Sequence, residues 1–267
     1  QVRGVMVVGS TLLLALSVYL TIDYLALRQA GATAEMLYTA STVWYAPLNI
    51  CYSVGVDGIS VAMLLLSSII VFTGTFASWQ LKPMTKEYFL WFTLLSAGVF
   101  GFFISTDLFT MFMFYEVALI PMYLLIGVWG SGQKEYAAMK LTLMLMGGSA
   151  FLLIGILGIF YGAGGDTMNL LDIAQRHIPT EMQHLFFPLI FLGFGVLGAL
   201  FPFHTWSPDG HASAPTAVSM LHAGVLMKLG GYGCFRVAMF LMPEGAEMWG
   251  NFFLVLTTIS VVYGAFS

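Results

Sequence analysis

Apolar segments long enough to cross a membrane recur along the whole chain. A bilayer-spanning helix needs about 20 mainly apolar residues at a rise of about 1.5 Å each. The candidate spans are residues 3–22, 59–80, 88–105, 107–129, 138–161, 184–204, 214–241 and 250–267. We predict helices for them because backbone polar groups in a bilayer must bond to one another. The period-two alternation of a membrane β-barrel is absent.

The composition supports a membrane protein. Hydrophobic residues make up 59% of the chain and charged residues 8%, whereas a soluble domain carries about 25% charged residues. We therefore predict one all-α polytopic transmembrane domain over residues 1–267. The net charge of −4 and the lack of a basic stripe argue against nucleic-acid binding. Cys51 and Cys234 form no CxxC pair, which argues against a disulfide framework.

Both ends of the sequence lie in or beside apolar segments. The chain begins at Gln1, and the apolar run behind Arg3 is too long for a signal peptide and lacks a small-residue cleavage site. We expect a spanning helix there. The final residues, VVYGAFS, also lie within an apolar run, so we expect a fragment of a longer polytopic protein.

The segments between the spans differ in character. Residues 23–57 are mildly polar and aromatic, and we expect them at the membrane interface, where Trp44 and Tyr45 fit well. Residues 162–183 are Gly-rich at first and are then expected to form a short surface helix. One face would hold Arg3, Lys82, Lys86, Lys134 and Lys140, and the other Arg28, Arg176 and Arg236. The first face is richer in positive charge and is predicted to be cytoplasmic.

Glu116 and Lys228 are ionisable residues well inside apolar spans. A charge at the centre of a membrane helix costs about 3 kcal/mol on insertion scales. The structural interpretation is an ion pair that fixes helix packing. We favour proton or ion handling, because burial disfavours the charged form of each group and makes both exchangeable proton sites.

Proline and glycine occur beside these two residues. Pro121 frees the carbonyl of Val117, where either a water next to Glu116 or a simple packing kink is consistent with the sequence. Lys228 lies among glycines that would let helices approach closely, at positions 224, 230, 231 and 233. Arg236 and Lys140, near the ends of their spans, are expected to snorkel towards the interface.

The stretch ALFPFHTWSPDGHASAPTAVSMLHAG interrupts a helix at membrane depth. It contains Pro202, Pro208, Pro215, Asp209, His204, His211 and His222. Broken helices of this kind mark ion sites in transporters. The histidine spacings do not match common zinc patterns and no HExxH occurs, so proton relay fits these residues better than metal binding. His222 and Lys228 are about 9 Å apart along a helix and roughly 120° around it, so a direct bond is excluded.

Three segments, VGVDGIS, FYEVALIPMYLLIGVWG and FPFHTWSPDGHASAPTAVSMLHAGVLMKLGGYGCFRV, together resemble the antiporter-like subunits of respiratory complex I, most closely the M-type (NuoM/NdhD-type). The resemblance implies a bundle of about fourteen helices with inverted repeats. This chain would cover the second to ninth helices, with a broken helix near 197–215. Mrp-type antiporter and membrane-hydrogenase subunits share the implied fold.

The resemblance also implies roles for individual residues. Glu116 matches the family's glutamate on the fifth helix and Lys228 its central lysine on the eighth, while His222 lies where L-type relatives carry a histidine. One position departs from the family pattern. Leu197 stands five residues before Pro202, where the family usually carries a lysine, and residues 184–204 contain no lysine. His204 and Lys140 are candidate substitutes for the missing base.

These observations predict a proton-translocating membrane subunit of a complex I-type NADH or ferredoxin:quinone oxidoreductase, and thus part of an enzyme. Glu116 would accept protons, Lys228 would be the central relay, and His222, His204 and Lys140 would extend the path. The resemblance implies no cofactor in this subunit, with NADH, FMN, Fe–S clusters and quinone bound by partner subunits of the membrane-bound assembly. A bacterial cytoplasmic membrane, or an equivalent energy-transducing membrane, is the expected location.

Two alternatives stay open at the level of sequence. One is an Mrp-type sodium/proton antiporter or membrane-hydrogenase subunit. The other is a structural membrane subunit that has lost pumping, with Leu197 as the trace of that loss. An enzyme that acts within the membrane has no nucleophile–base constellation to support it.

Overall fold

The computed structural model describes residues 1–266, which form a helical bundle with one β-hairpin. The long helices are α1 (Val2–Gln29), α2 (Gly58–Ala77), α3 (Thr85–Ile104), α4 (Leu108–Trp129), α5 (Lys134–Gly162), α7 (Thr180–Leu197) and α11 (Pro243–Phe266). The short ones are α6 (Leu170–Ala174), α8 (Trp206–Ser213), α9 (Thr216–Leu221) and α10 (Met227–Gly233). The hairpin consists of β1 (Leu37–Tyr45) and β2 (Ile50–Val56).

Seven of the helices in the described part of the chain are long and apolar enough to cross a membrane. The predicted all-α polytopic fold is confirmed. An eighth helical path runs between α8 and α11, where π-helical turns at His222–Leu226 and Cys234–Met239 alternate with α9 and α10. We call residues 216–239 the segmented helix. π-Turns occur frequently at functional sites, and here they flank Lys228.

The β-hairpin was not anticipated for the interfacial stretch 23–57. Helix α1 continues to Gln29, and the two antiparallel strands then meet across a turn in which Asn49 has a φ of 48°. Strand β1 is rich in β-branched and aromatic residues and is largely exposed, whereas β2 packs on the bundle. The β-branched and aromatic residues of β1 were the available signal, but the mild polarity of the segment also fitted an interfacial loop.

Hydrogen bonds between loops define the two ends of the bundle. At one end, the backbone N–H of Thr106 donates to Ser53 O at 3.0 Å, beside the strands; we call this the hairpin face. At the other end, Trp129 Nε1 donates to Pro83 O at 2.9 Å. We call this second end the lysine face, because the helix ends and loops there carry Arg3, Lys82, Lys86 and Lys134.

The break predicted near 197–215 begins where α7 ends at Leu197. Ala199 adopts a φ of 56°, and the Leu200 N–H donates to Gly195 O at 2.8 Å, which closes the helix end. Trp206 is fully buried and its indole N–H donates to Val196 O at 3.1 Å. These bonds satisfy backbone groups that would otherwise be unpaired at membrane depth, and they fix the direction in which α8 continues.

Arg236 does not snorkel as expected. It forms an ion pair with Asp57, the residue that caps α2 by accepting from the Ser60 N–H at 2.9 Å. The side chains of Arg236 and Asp57 are only 11% and 18% exposed. Because both side chains are largely buried, pairing with Asp57 is more favourable for Arg236 than extension to water. The two residues lie 179 positions apart, so the contact could not be predicted from the sequence.

Candidate functional site

Glu116 lies in the middle of α4, and one of its carboxyl oxygens, Oε1, is buried. Among residues 1–266 no group hydrogen-bonds to that oxygen. The Ser149 hydroxyl of α5 lies beside the carboxyl, although it donates its own bond to Met146 O at 3.0 Å. Pro121 is buried within α4, which continues past it to Trp129. The structure therefore places the carboxyl in an apolar bundle with few polar neighbours.

Leu197, which stands where the resemblance implies a lysine, lines a small apolar cavity. The other lining residues are Tyr115, Ala118, Leu119, Leu145, Leu226 and Leu229. The cavity is barely large enough for one water molecule. The volume open to the centre of a water is only about 10 Å³, which is close to the minimum that one water needs. The Tyr115 hydroxyl donates to Leu145 O at 3.2 Å. The cavity therefore offers almost no free polar group, and such cavities stay dry.

His222 begins the first π-turn of the segmented helix and is fully buried. Its ring stacks on Trp206 with centroids 5.1 Å apart and on His211 with centroids 4.5 Å apart. Within the described residues, neither of its ring nitrogens has a hydrogen-bond partner. A buried imidazole with two free nitrogens is able to take and give a proton without breaking an existing bond.

Lys140 does not extend to the interface as expected. Its Nζ lies 2.7 Å from Asp209 Oδ2 on α8, with side-chain exposures of 25% and 41%. The break in the α7–α8 path brings α8 against α5, so a residue 69 positions away in sequence becomes its partner. The sequence singled out Asp209 as an acidic residue in the interrupted helix, but it did not identify Lys140 as its partner.

Lys228 and His222 are on different sides of the segmented helix. Lys228 is exposed on the surface of residues 1–266, and its Nζ donates to Ala223 O at 3.0 Å. It borders an apolar groove that also includes Met63, Phe194 and Ser260. The structure thus agrees that Lys228 does not bond to His222, but it does not bring Lys228 together with Glu116 inside the described bundle.

His204 occupies the break itself, apart from the other histidines. Its ring packs against Phe201 and Tyr263, at centroid distances of 5.5 and 4.9 Å. Its Nδ1 is buried and has no partner among the described side chains and backbone groups. Across residues 1–266, no three His, Cys, Asp or Glu side chains group closely enough to hold a metal ion.

Comparison with known families decides the class of this bundle. Residues 105–267 match the family model described as NADH:quinone oxidoreductase/Mrp antiporter, TM. The chain belongs to this family. The match includes Glu116, the broken helix and Lys228, so the residues considered above lie in the part of the chain that defines the antiporter family.

Curated relatives agree with the M-type resemblance. The chain is 39% identical over 234 residues to NAD(P)H-quinone oxidoreductase chain 4 3 of a Picosynechococcus species, covering 87% of this chain and 42% of the relative. It is 37% identical to the chloroplastic NAD(P)H-quinone oxidoreductase chain 4 of Citrus sinensis, covering 83% of this chain and 45% of that one. The chain spans less than half the length of these antiporter-family relatives.

Solved structures show the same fold. A chain of respiratory complex I from Thermus thermophilus with bound NADH superposes with a TM-score of 0.88 at 25% identity, over 98% of this chain and 54% of that chain. A chain of the Mrp complex from a Dietzia species superposes with a TM-score of 0.75 at 20% identity, over 91% and 44%. Because its identity to the Mrp chain is only 20%, this similarity shows a shared fold and nothing more. The chain is thus an integral membrane protein of the antiporter family with an M-type relationship.

Proposed function

We propose that this chain is part of a proton-translocating membrane-arm subunit of a complex I-type quinone oxidoreductase. The observation that supports it most is Glu116 in the middle of α4, a half-buried residue whose carboxyl oxygen Oε1 is buried and unpaired among residues 1–266. A carboxyl kept in such a place costs several kcal/mol if ionised. A purely structural position would be filled more favourably by an apolar residue.

The other site residues take roles around Glu116. His222, with two free ring nitrogens, is the proton relay at the buried end of the segmented helix. His204 extends the path at the break, and Lys140 supplies positive charge where Leu197 does not. Lys228 is the central relay, and its exposed face would pack against the part of the full-length protein that corresponds to the remaining length of the relatives.

The relatives support the proposed assembly and location. Partner subunits of the membrane arm would surround this chain, and the electron carriers NADH, FMN, Fe–S clusters and quinone would bind in other subunits. The membrane would be a bacterial cytoplasmic membrane or an equivalent energy-transducing one, because relatives include a chloroplastic protein. The lysine face would then face the cytoplasm or its equivalent.

A second candidate is a membrane subunit that no longer pumps. The observation that favours it is Leu197, which lines a small apolar cavity and stands where the resemblance implies a lysine that would pair with the family's glutamate. Both candidates share the fold and the assembly. They differ in whether Glu116 exchanges a proton during turnover.

Replacing Glu116 by Gln in the full-length protein within its complex tests the proposal. We expect the number of protons translocated per quinone reduced to fall, because a positioned proton-transfer group speeds its own step on the order of 10²-fold or more. The measurement is protons translocated per quinone reduced in sealed vesicles. Glu135→Gln is the matched control, because Glu135 is exposed in the first turn of α5. An unchanged ratio in Glu116→Gln would favour the non-pumping subunit.

A further inference from the structure

Helices α1 and α3 both begin at the lysine face and leave a groove between them. The groove exists because α1 packs along α2 and touches α3 at few points. The space next to the lysine face has a volume of about 680 Å³, and a cleft of about 340 Å³ continues it towards the hairpin face. Met6, Thr93 and Ala97 line both spaces. They therefore form one groove, which we call the α1–α3 groove.

The α1–α3 groove has apolar walls and is long enough to cross one leaflet. Phe100, at its inner end, lies fourteen residues after Lys86 at its mouth, which is about 21 Å along a helix. Half of the hydrocarbon core of a bilayer is about 15 Å thick. The hydroxyls of Thr93 and Ser96 donate to backbone carbonyls of α3 at 2.7 and 2.8 Å. The walls thus offer an acyl chain an almost entirely apolar surface.

Two basic side chains stand at the mouth of the groove. Lys86 lines it in the first turn of α3 and is exposed. Arg3, in the first turn of α1, has its guanidinium carbon 5.9 Å from the centre of the Trp79 ring, and its buried Nε has no hydrogen-bond partner among residues 1–266. In the same residues neither side chain forms an ion pair. Trp79 is 41% exposed, which suits a ring at the level of the lipid headgroups.

The two charges determine what the groove can select. An exposed apolar face alone marks only the lipid-facing surface of a membrane helix, whereas basic pockets between membrane helices bind anionic headgroups. A helix from another chain fits less well, because it is about 10 Å across and the walls of the groove meet where Thr93 Oγ1 lies 3.4 Å from Met6 Sδ. An apolar helix would also leave Arg3 and Lys86 without a counter-charge.

We propose that the α1–α3 groove binds an anionic phospholipid from the leaflet at the lysine face. The phosphate of the lipid lies between Arg3 and Lys86, and one acyl chain follows the groove past Ala97 towards Phe100. The bound lipid joins α1 to α3 where the side chains of the two helices do not meet. The site does not depend on whether the chain translocates protons.

Photo-crosslinking of the full-length protein within its complex tests the site. Phosphatidylcholine nanodiscs would carry a small fraction of phosphatidylglycerol with a photoreactive acyl chain, and peptide mapping would locate the label. We expect label on groove residues such as Met6 and Ala97, displaced by unlabelled phosphatidylglycerol but not by phosphatidylcholine. Equal labelling by photoreactive phosphatidylcholine would overturn the proposal, because the basic residues would then serve only to orient the chain in the membrane. A groove without label, as expected if another helix covers it, would overturn it too.

Arg3→Gln/Lys86→Gln removes the headgroup contacts. Each basic side chain near a membrane surface strengthens anion binding about fivefold, so labelling of the groove at a low fraction of phosphatidylglycerol should fall about 30-fold. Lys134→Gln is the matched control, because Lys134 lies on the same face, donates to Val128 O at 2.8 Å and does not line the groove. Ala97→Trp keeps both charges, fills the groove and should abolish the label. Undiminished labelling in the double variant or in Ala97→Trp would refute the site.

Discussion

Gly230→Ala is expected to destabilise the bundle by about 3 kcal/mol, at the upper end for overpacking a core. A Cβ at this position would lie 2.5 Å from Phe194 O and 2.6 Å from Gly198 N. Both are backbone atoms at the end of α7, so a side-chain rotation cannot relieve the contact. The segmented helix would have to move away from α7, and with it Lys228, two residues earlier.

The thermal midpoint of the purified full-length protein in its complex measures this effect. Gly147→Ala on α5 is the matched control, because a Cβ there meets nothing within 4 Å in the described chain. Alanine at Gly147 should be neutral or slightly stabilising, since glycine weakens a helix interior by about 1 kcal/mol. Equal midpoints for the two variants would mean that Gly230 does not set the distance between α7 and the segmented helix.

The glycines around Lys228 show which features of helix packing could be predicted from the sequence. Their number around Lys228 correctly indicated close helix packing, and added Cβ atoms at Gly224 and Gly233 would also collide, with Ile70 and Phe194. Gly231 meets nothing within 4 Å among the described residues. Sequence identifies residues that permit close approach, but the helix face that each occupies depends on the π-turns, which have no local sequence signal.

The burial of individual polar groups was predictable where a single apolar segment contained them. Glu116 and His222 stand in apolar runs, and the structure buries Glu116 Oε1 and both His222 ring nitrogens. The partners of Lys140 and Arg236 were not predictable, because each lies on another helix and is brought near by the break and by the return of the segmented helix. Pairing across such distances is a property of the tertiary fold.

The pair of Asp57 and Arg236 also predicts a dependence on pH. Burial acts to raise the pKa of Asp57, but the Ser60 N–H and the Arg236 guanidinium outweigh it and hold that pKa below its ordinary value of 3.8. A lowered pKa in the folded state contributes stability above the ordinary value, and this contribution is lost as the pH falls through the folded value. Lowering the pH below 3.8 should therefore weaken the contact between α2 and the segmented helix at the hairpin face.

Arg236→Met is expected to cost about 3–5 kcal/mol of stability, because it leaves the Asp57 carboxylate largely buried and unpaired. It also removes the guanidinium that lies 5.5 Å from the centre of the Tyr232 ring. Arg176→Met, which breaks the ion pair with Asp166 whose side chains are 39% and 63% exposed, should leave the thermal midpoint almost unchanged, because exposed ion pairs contribute little to stability. Thermal midpoints of the two variants in the same complex provide the comparison.

The double variant Asp57→Leu/Arg236→Met identifies the source of the loss. With no unpaired carboxylate left, most of the cost should disappear, and only the α2 cap, about 1 kcal/mol, should remain lost. The acid sensitivity assigned to Asp57 should vanish in the same variant. If the double variant is as unstable as Arg236→Met, the contribution of Arg236 comes from packing against Tyr232 and not from its charge, and the hairpin face is held together by apolar contact.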